Sequence, residues 1–189
     1  MVKEIMAQEP EETSFAYKVC LFGAGGVGKT SLARRYLTGN FEIDTKMTMG
    51  ASIHVKNVKI EDKSVSLQIW DFGGEEQFRF LLPIYAKGSS GGIFMFDLTR
   101  YETFQNISTW TSVLKECIDE QNEYVPFMLV GAKKDLAFIQ AVESFLGEKM
   151  VKQHDLFFKY MECSSKTGEN VDEIFEIMAR KMLEREGLL

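Results

Sequence analysis

The segment Gly23-Ala24-Gly25-Gly26-Val27-Gly28-Lys29-Thr30 constrains this chain more than any other. It follows a short apolar run, Tyr17-Lys18-Val19-Cys20-Leu21-Phe22, which reads as a buried strand stopped by glycine. A helix is expected after it, from about Gly28 to Leu37, with Leu32, Tyr36 and Leu37 toward the core. A G-x-x-x-x-G-K-T pattern between a strand and a helix has a physical purpose. Glycines let the backbone curl until several N–H groups point inward at one anion. The helix beginning there adds its positive end. Lys29 supplies a point charge for the outer phosphates of a polyphosphate, and the Thr30 hydroxyl a ligand for magnesium. Chance gives such a match in on the order of one chain in a hundred of this length, and the strand–helix context disfavours a plain glycine turn further. Gly23 to Ser31 is therefore the candidate site for a nucleoside triphosphate with magnesium.

The rest of the chain alternates strands with helices. Residues 1–14 read as a flexible acidic tail and residues 39–50 as a loop. Strands are expected at Ile53 to Ile60 and at Val65-Leu67-Ile69, around a turn at Glu61-Asp62-Lys63. A short irregular helix is expected from Phe78 to Lys87. Gly88-Ser89-Ser90-Gly91-Gly92 reads as a tight turn, because the buried strand Ile93-Phe94-Met95-Phe96 follows at once. Phe104, Ile107, Thr111, Leu114 and Ile118 have helical spacing. Further strands are expected at 126–131 and 156–161, and helices at about 140–153 and 170–186. This order predicts an α/β three-layer sandwich: a six-stranded, mostly parallel sheet with one antiparallel edge strand. The length of 189 residues suits one folded domain over 15–189.

Composition excludes several classes. The net charge is −6 with no long basic run, so nucleic acid is not expected as a partner. Cys20, Cys117 and Cys163 are isolated and lie in apolar stretches, and His54 and His154 are the only histidines. Buried thiols are expected rather than a disulfide framework or a Cys/His metal site. No apolar run approaches a membrane span. Val2 excludes N-myristoylation, and the ending Glu186-Gly187-Leu188-Leu189 holds no prenylation box. A cytoplasmic monomer without a direct lipid anchor is expected.

Beyond the loop, Asp71 ends an alternating strand in Trp70-Asp71-Phe72-Gly73-Gly74-Glu75, where a carboxylate holds magnesium through water or merely ends a strand. Together with Thr48-Met49-Gly50, Glu76-Gln77-Phe78-Arg79, Phe94-Met95-Phe96-Asp97-Leu98-Thr99, Gly131-Ala132-Lys133-Lys134-Asp135-Leu136 and Cys163-Ser164-Ser165-Lys166, these elements follow the order seen in Ras-superfamily small GTPases. The chain resembles that family from about residue 17 to 186, and Trp70 to Trp110 resembles its Rab branch. The resemblance implies the small-GTPase fold and a GTP-hydrolysing switch. Thr30 and Thr48 would ligate magnesium directly and Asp71 through water. Gly74 would give its N–H to the γ-phosphate. Phe41 would pack beside guanine, Asp135 would accept from its N–H groups, Lys133 would lie along it, and the Ser165 N–H would meet its carbonyl. Leu136, Ser164 and Lys166 complete that base site. Lys29, Thr48, Gly74 and Glu75 would form the catalytic set. Loops 41–50 and 72–84 would be the switches, ordered by the γ-phosphate and met by effectors, exchange factors and GTPase-activating proteins.

Two residues depart from the family pattern. Glu75 stands where Gln is usual. An ionised Glu accepts hydrogen bonds but cannot donate, and it brings negative charge toward a polyanion, so slow hydrolysis or help from a partner is expected. Ala132 stands where Asn is usual. The lost amide removes about 1–2 kcal/mol, roughly tenfold in affinity, while Asp135 keeps the preference for guanine. These departures also motivate a non-hydrolysing, GTP-controlled interaction module. An unrelated kinase or ATPase lacks support, because residues 131–136 and 163–166 resemble guanine readers.

Overall fold

The computed structural model describes residues 14–42, 48, 50–74, 84, 86–111 and 124–189. Six strands form one sheet in the order β2-β3-β1-β4-β5-β6. They are β1 (Ser14–Phe22), β2 (Ala51–Ile60), β3 (Lys63–Phe72), β4 (Gly91–Asp97), β5 (Phe127–Ala132) and β6 (Phe157–Cys163). All neighbours pair in parallel except the edge strand β2, which runs antiparallel to β3. The expected three-layer α/β architecture is the one observed. The first strand begins earlier than the sequence suggested. Its apolar core starts at Tyr17, but pairing extends it back to Ser14, opposite Ser64.

The helices follow from amphipathic spacing. They are α1 (Lys29–Thr38), α2 (Tyr101–Gln105), α3 (Ser144–Gln153) and α4 (Val171–Arg185). Helix α2 is broken at Asn106, and helical conformation resumes at 107–111. The expected continuation to Leu114 and Ile118 lies outside the described residues, as do the tail at 1–13, Cys117 and residues 78–83 and 85 of the helix expected at 78–87. Helix α3 starts at Ser144, later than the expected 140, because 134–139 form a 3₁₀ turn and 141–142 a bend.

Two cores lie on opposite faces of the sheet. On one face, Val19, Leu21, Val65, Leu67 and Ile69 pack against Leu32 of α1 and Ile174, Phe175 and Met178 of α4. Tyr36 stacks on Phe175 with ring centroids 3.9 Å apart. On the other face, Cys20, Phe22, Phe94, Phe96 and Leu129 meet Phe104, Ile107 and Trp110. Alternation along β1 explains the division: Tyr17, Val19 and Leu21 go one way, Cys20 and Phe22 the other.

Phe175 is fully buried, whereas Phe138 is 82% exposed. Phe175→Ala is expected to cost about 3–5 kcal/mol in urea unfolding, and Phe138→Ala no more than about 0.5 kcal/mol. Equal losses would contradict this assignment of the core.

Candidate functional site

Five of the six strands are parallel, so the loops after β1, β3, β4, β5 and β6 gather at one edge of the sheet. The loop after β1 turns at Gly23, with φ 130°. A Cβ there would collide with the carbonyl oxygen of Met95, so only glycine fits. The loop closes around Lys29, whose Nζ donates to the carbonyls of Gly23 (2.7 Å) and Ala24 (2.9 Å). No side chain caps the N-terminus of α1; Gly28 stands there in the left-handed conformation. The first amides of α1 are thus left to whatever the loop encloses. Gly74 presses against the same loop. A Cβ at Gly74 would lie 2.6 Å from the Ala24 carbonyl oxygen and closer still to the Lys29 ammonium.

Oxygen ligands converge beside the lysine. Thr30 Oγ1 donates to Asp71 Oδ2 at 2.6 Å and shares a hydrogen bond of 2.8 Å with Thr48 Oγ1. Asp71 is fully buried at the end of β3, and its Oδ1 has no hydrogen-bond partner. Burial pushes the Asp71 carboxyl above the usual carboxylate range, against the Thr30 hydrogen bond and the Lys29 charge. Burial likewise pulls Lys29 down to about 8, opposed by the charge of Asp71. An all-oxygen set with an unused buried carboxylate oxygen suits a hard divalent cation such as magnesium. Among the described residues, no group of three or more His, Cys, Asp or Glu side chains could hold a metal.

A cleft of about 260 Å³ opens next to the loop. Its walls include Val27, Gly28, Ser31, Phe41, Ala132, Lys133, Asp135, Leu136, Ser165 and Lys166. Asp135 is oriented by Ser164, whose Oγ donates to Oδ1 at 2.7 Å, and Lys166 Nζ lies 3.9 Å from Oδ2. Ser164 is fully buried and accepts from the Thr167 N–H at 3.1 Å. It braces Asp135 and is not among the lining residues. Ala132 presents only a methyl group to the cleft.

The structure therefore brings the phosphate loop together with Thr48, Asp71 and Gly74, and groups Phe41 with Lys133, Asp135, Leu136, Ser165 and Lys166. Glu75 lies outside the described residues, as do 43–47, 49 and 76–83 of the two expected switch loops. Sequence reasoning assigned no role to Asp97 and Arg100. Asp97 is fully buried at the end of β4, 2.6 Å from Lys133 Nζ. Burial opposes its ionisation, but hydrogen bonds from Lys133 and Thr99 win and hold it below the usual carboxylate range. An acidic residue ending an apolar strand was the visible signal; its partners were not.

The sequence model of the Ras family matches residues 18–184. The chain belongs to the Ras family. It is 32% identical over 182 residues to Ras-related protein Rab11B of Nicotiana tabacum, covering 92% of this chain and 82% of that protein. It is 32% identical over 185 residues to Ras-related protein RABA1e of Arabidopsis thaliana, covering 94% and 83%. Against Ras-related protein RGP2 of Oryza sativa subsp. japonica the identity is 33% over 165 residues, covering 87% and 74%. The protein is thus a small GTPase of the Rab branch, a GTP-binding switch of the kind that works through regulators and effectors. Among the described residues, no helix of this Ras-family chain is long and apolar enough to cross a membrane.

The Gly74 contact is testable. Gly74→Ala should force the loop away from its Cβ and destabilise the protein by about 1–3 kcal/mol, read by urea unfolding. An unchanged midpoint would show that Gly74 does not press on Ala24.

Proposed function

We propose that this chain is a guanine-nucleotide switch that binds GTP and GDP with magnesium and cleaves GTP slowly, or with a partner's help. One observation carries the reading: a buried lysine inside a glycine loop adjoins both an oxygen cluster and a cleft holding a braced carboxylate. The first suits phosphates, the second a cation, the third a base with paired N–H donors.

The chain's own residues divide the work. Gly23, Ala24, Gly25, Gly26, Val27 and Gly28 offer backbone N–H groups, and Lys29 adds positive charge to the outer phosphates. Thr30 and Thr48 would hold magnesium directly, and Asp71 through a water. When bound, the ion offsets the charge of the phosphates. Gly74 would meet the γ-phosphate with its N–H. Phe41 and the Lys133 stem flank the base. Asp135 accepts its two N–H groups, a pattern adenine lacks, and the Ser165 N–H meets its carbonyl. Ser164 holds Asp135 in the accepting orientation, and Lys166 adds positive charge nearby.

We infer a single G domain over 15–189 that acts as a monomer, engaging effectors, exchange factors and GTPase-activating proteins through loops 41–50 and 72–84. Catalysis would rest on Lys29, Thr48, Gly74 and Glu75. Glu75 is the weak member, since it accepts but does not donate a hydrogen bond. It is also what favours the second reading, a GTP-controlled module that does not hydrolyse. Phosphate release over hours in the presence of magnesium separates the two readings.

Single-turnover GTP cleavage should be roughly tenfold or more faster in Glu75→Gln, because a donor is restored near the developing charge. If the variant is no faster, Glu75 is not what limits the rate. Base choice is tested by competition. GTP should displace labelled GDP at least ~100-fold better than ATP, since a site built to pair N–H groups is left unpaired by the wrong base. Equal displacement would remove the guanine assignment.

A further inference from the structure

Arg100 follows β4 and connects two parts of the site that share no strand. Its Nε donates to Asp97 Oδ2 at 3.0 Å. Its Nη2 donates to the carbonyl oxygen of Gly25 in the phosphate loop at 2.9 Å. The same Asp97 Oδ2 accepts Lys133 Nζ at 2.6 Å, from the loop that walls the base cleft. The other oxygen accepts from the Thr99 N–H at 2.9 Å and the Thr99 hydroxyl at 2.7 Å. A buried carboxylate thus anchors a forked cation whose second prong reaches the phosphate loop.

The contact falls where the loop is least determined by its own residues. Gly25 and Gly26 carry no side chains, and Gly26 has φ 70°. The peptide between them is free to rotate unless something holds it. In a trans peptide the C=O and the next N–H point in opposite directions. Fixing the Gly25 oxygen on Arg100 therefore aims the Gly26 N–H to the other side. That N–H is one of the donors a phosphate loop presents to its anion. The guanidinium reaches this peptide from outside the loop.

We propose that Arg100 is a positioning residue for nucleotide retention: anchored on Asp97, it locks the Gly25–Gly26 peptide and slows nucleotide release. The role is not one of satisfying Asp97. Without Arg100 that carboxylate keeps Lys133 and both Thr99 donors, so removing the guanidinium strands no buried charge. The Arg100 side chain is itself 38% exposed, which makes Arg100→Met compatible with folding. Arg100→Lys keeps the charge but has one donor centre, and it cannot span Asp97 and Gly25 as a planar fork does.

The proposal rests on the guanine-nucleotide reading, and the test separates the two. Full-length protein is loaded with a fluorescent GDP, and release is followed after adding excess unlabelled GDP with magnesium present. Arg100→Met should release GDP roughly tenfold faster, and Arg100→Lys should fall between it and the wild type. Arg180→Met, which removes the remote ion pair with Glu61 (2.8 Å), should release at the wild-type rate. Release from Arg100→Met within twofold of the wild type overturns the proposal, and so does equal acceleration in Arg180→Met. If Arg100→Met does not fold, Arg100→Lys decides, and a wild-type rate there overturns it. A wild-type protein that binds no labelled GDP sinks the nucleotide reading and this one together. Binding with unaltered release in the variants sinks Arg100 alone.

Discussion

A lysine that is only 6% exposed inside a glycine loop is the constraint on which the rest of this structure turns. An ammonium taken out of water is costly unless acceptors surround it. Two loop carbonyls supply them, and Asp71 supplies the opposite charge nearby. Each demand fixes something larger. The carbonyls require the loop to curl, and the curl requires glycine at Gly23, where Met95 leaves no room for a Cβ. Asp71 must stand at the end of a strand beside β1, which is where parallel pairing of β1 and β3 puts it, next to Leu21 in register. Burial pushes the two groups toward neutrality, and each restrains the other.

The same sheet edge separates two kinds of recognition. Loops after β1 and β3 bring charge, hydroxyls and backbone amides, the groups that suit phosphates and a hard cation. Loops after β5 and β6 bring the walls of a cleft with one oriented acceptor. Strand β4 lies between them in the sheet order, and Asp97 at its end touches the loop after β5 through Lys133 and, by way of Arg100, the loop after β1. The glycine loop and the cleft are therefore linked by hydrogen bonds through a strand that contributes no lining residue to the cleft.

Much of this was legible in the residues. Apolar runs ended by glycine located the strands of the inner sheet, and alternation in Val65, Leu67 and Ile69 showed one face of β3 buried, as it is. The phosphate loop and Asp71 were visible in the residues themselves, Thr48, Gly74, Phe41 and Asp135 only through the resemblance to small GTPases, and folding gathers them in two adjoining places. What escaped were contacts with no local periodicity. The start of β1 at Ser14 depends on pairing with Ser64, fifty positions away. Ser164 is fully buried and donates to Asp135, a contact set by side-chain direction and invisible in spacing. Arg100 reads as an ordinary surface cation until a neighbour 75 positions away is known.

The overall charge of −6 looks ill-suited to a polyanionic ligand. The contradiction disappears once distance is considered. Exposed carboxylates more than about 10 Å from the phosphates are largely screened by salt, whereas amides and an ammonium in contact with them are not. A net acidic surface also disfavours nonspecific adsorption to nucleic acid. The same reasoning sharpens the meaning of Glu75. A remote glutamate among so many would hardly matter, but one adjoining Gly74 in sequence follows directly on the residue that presses on Lys29 and Ala24. Glu75, beside the phosphate loop's neighbour Gly74, and Ala132, in the wall of the cleft, are the two motif positions where this chain departs from the pattern usual in the family.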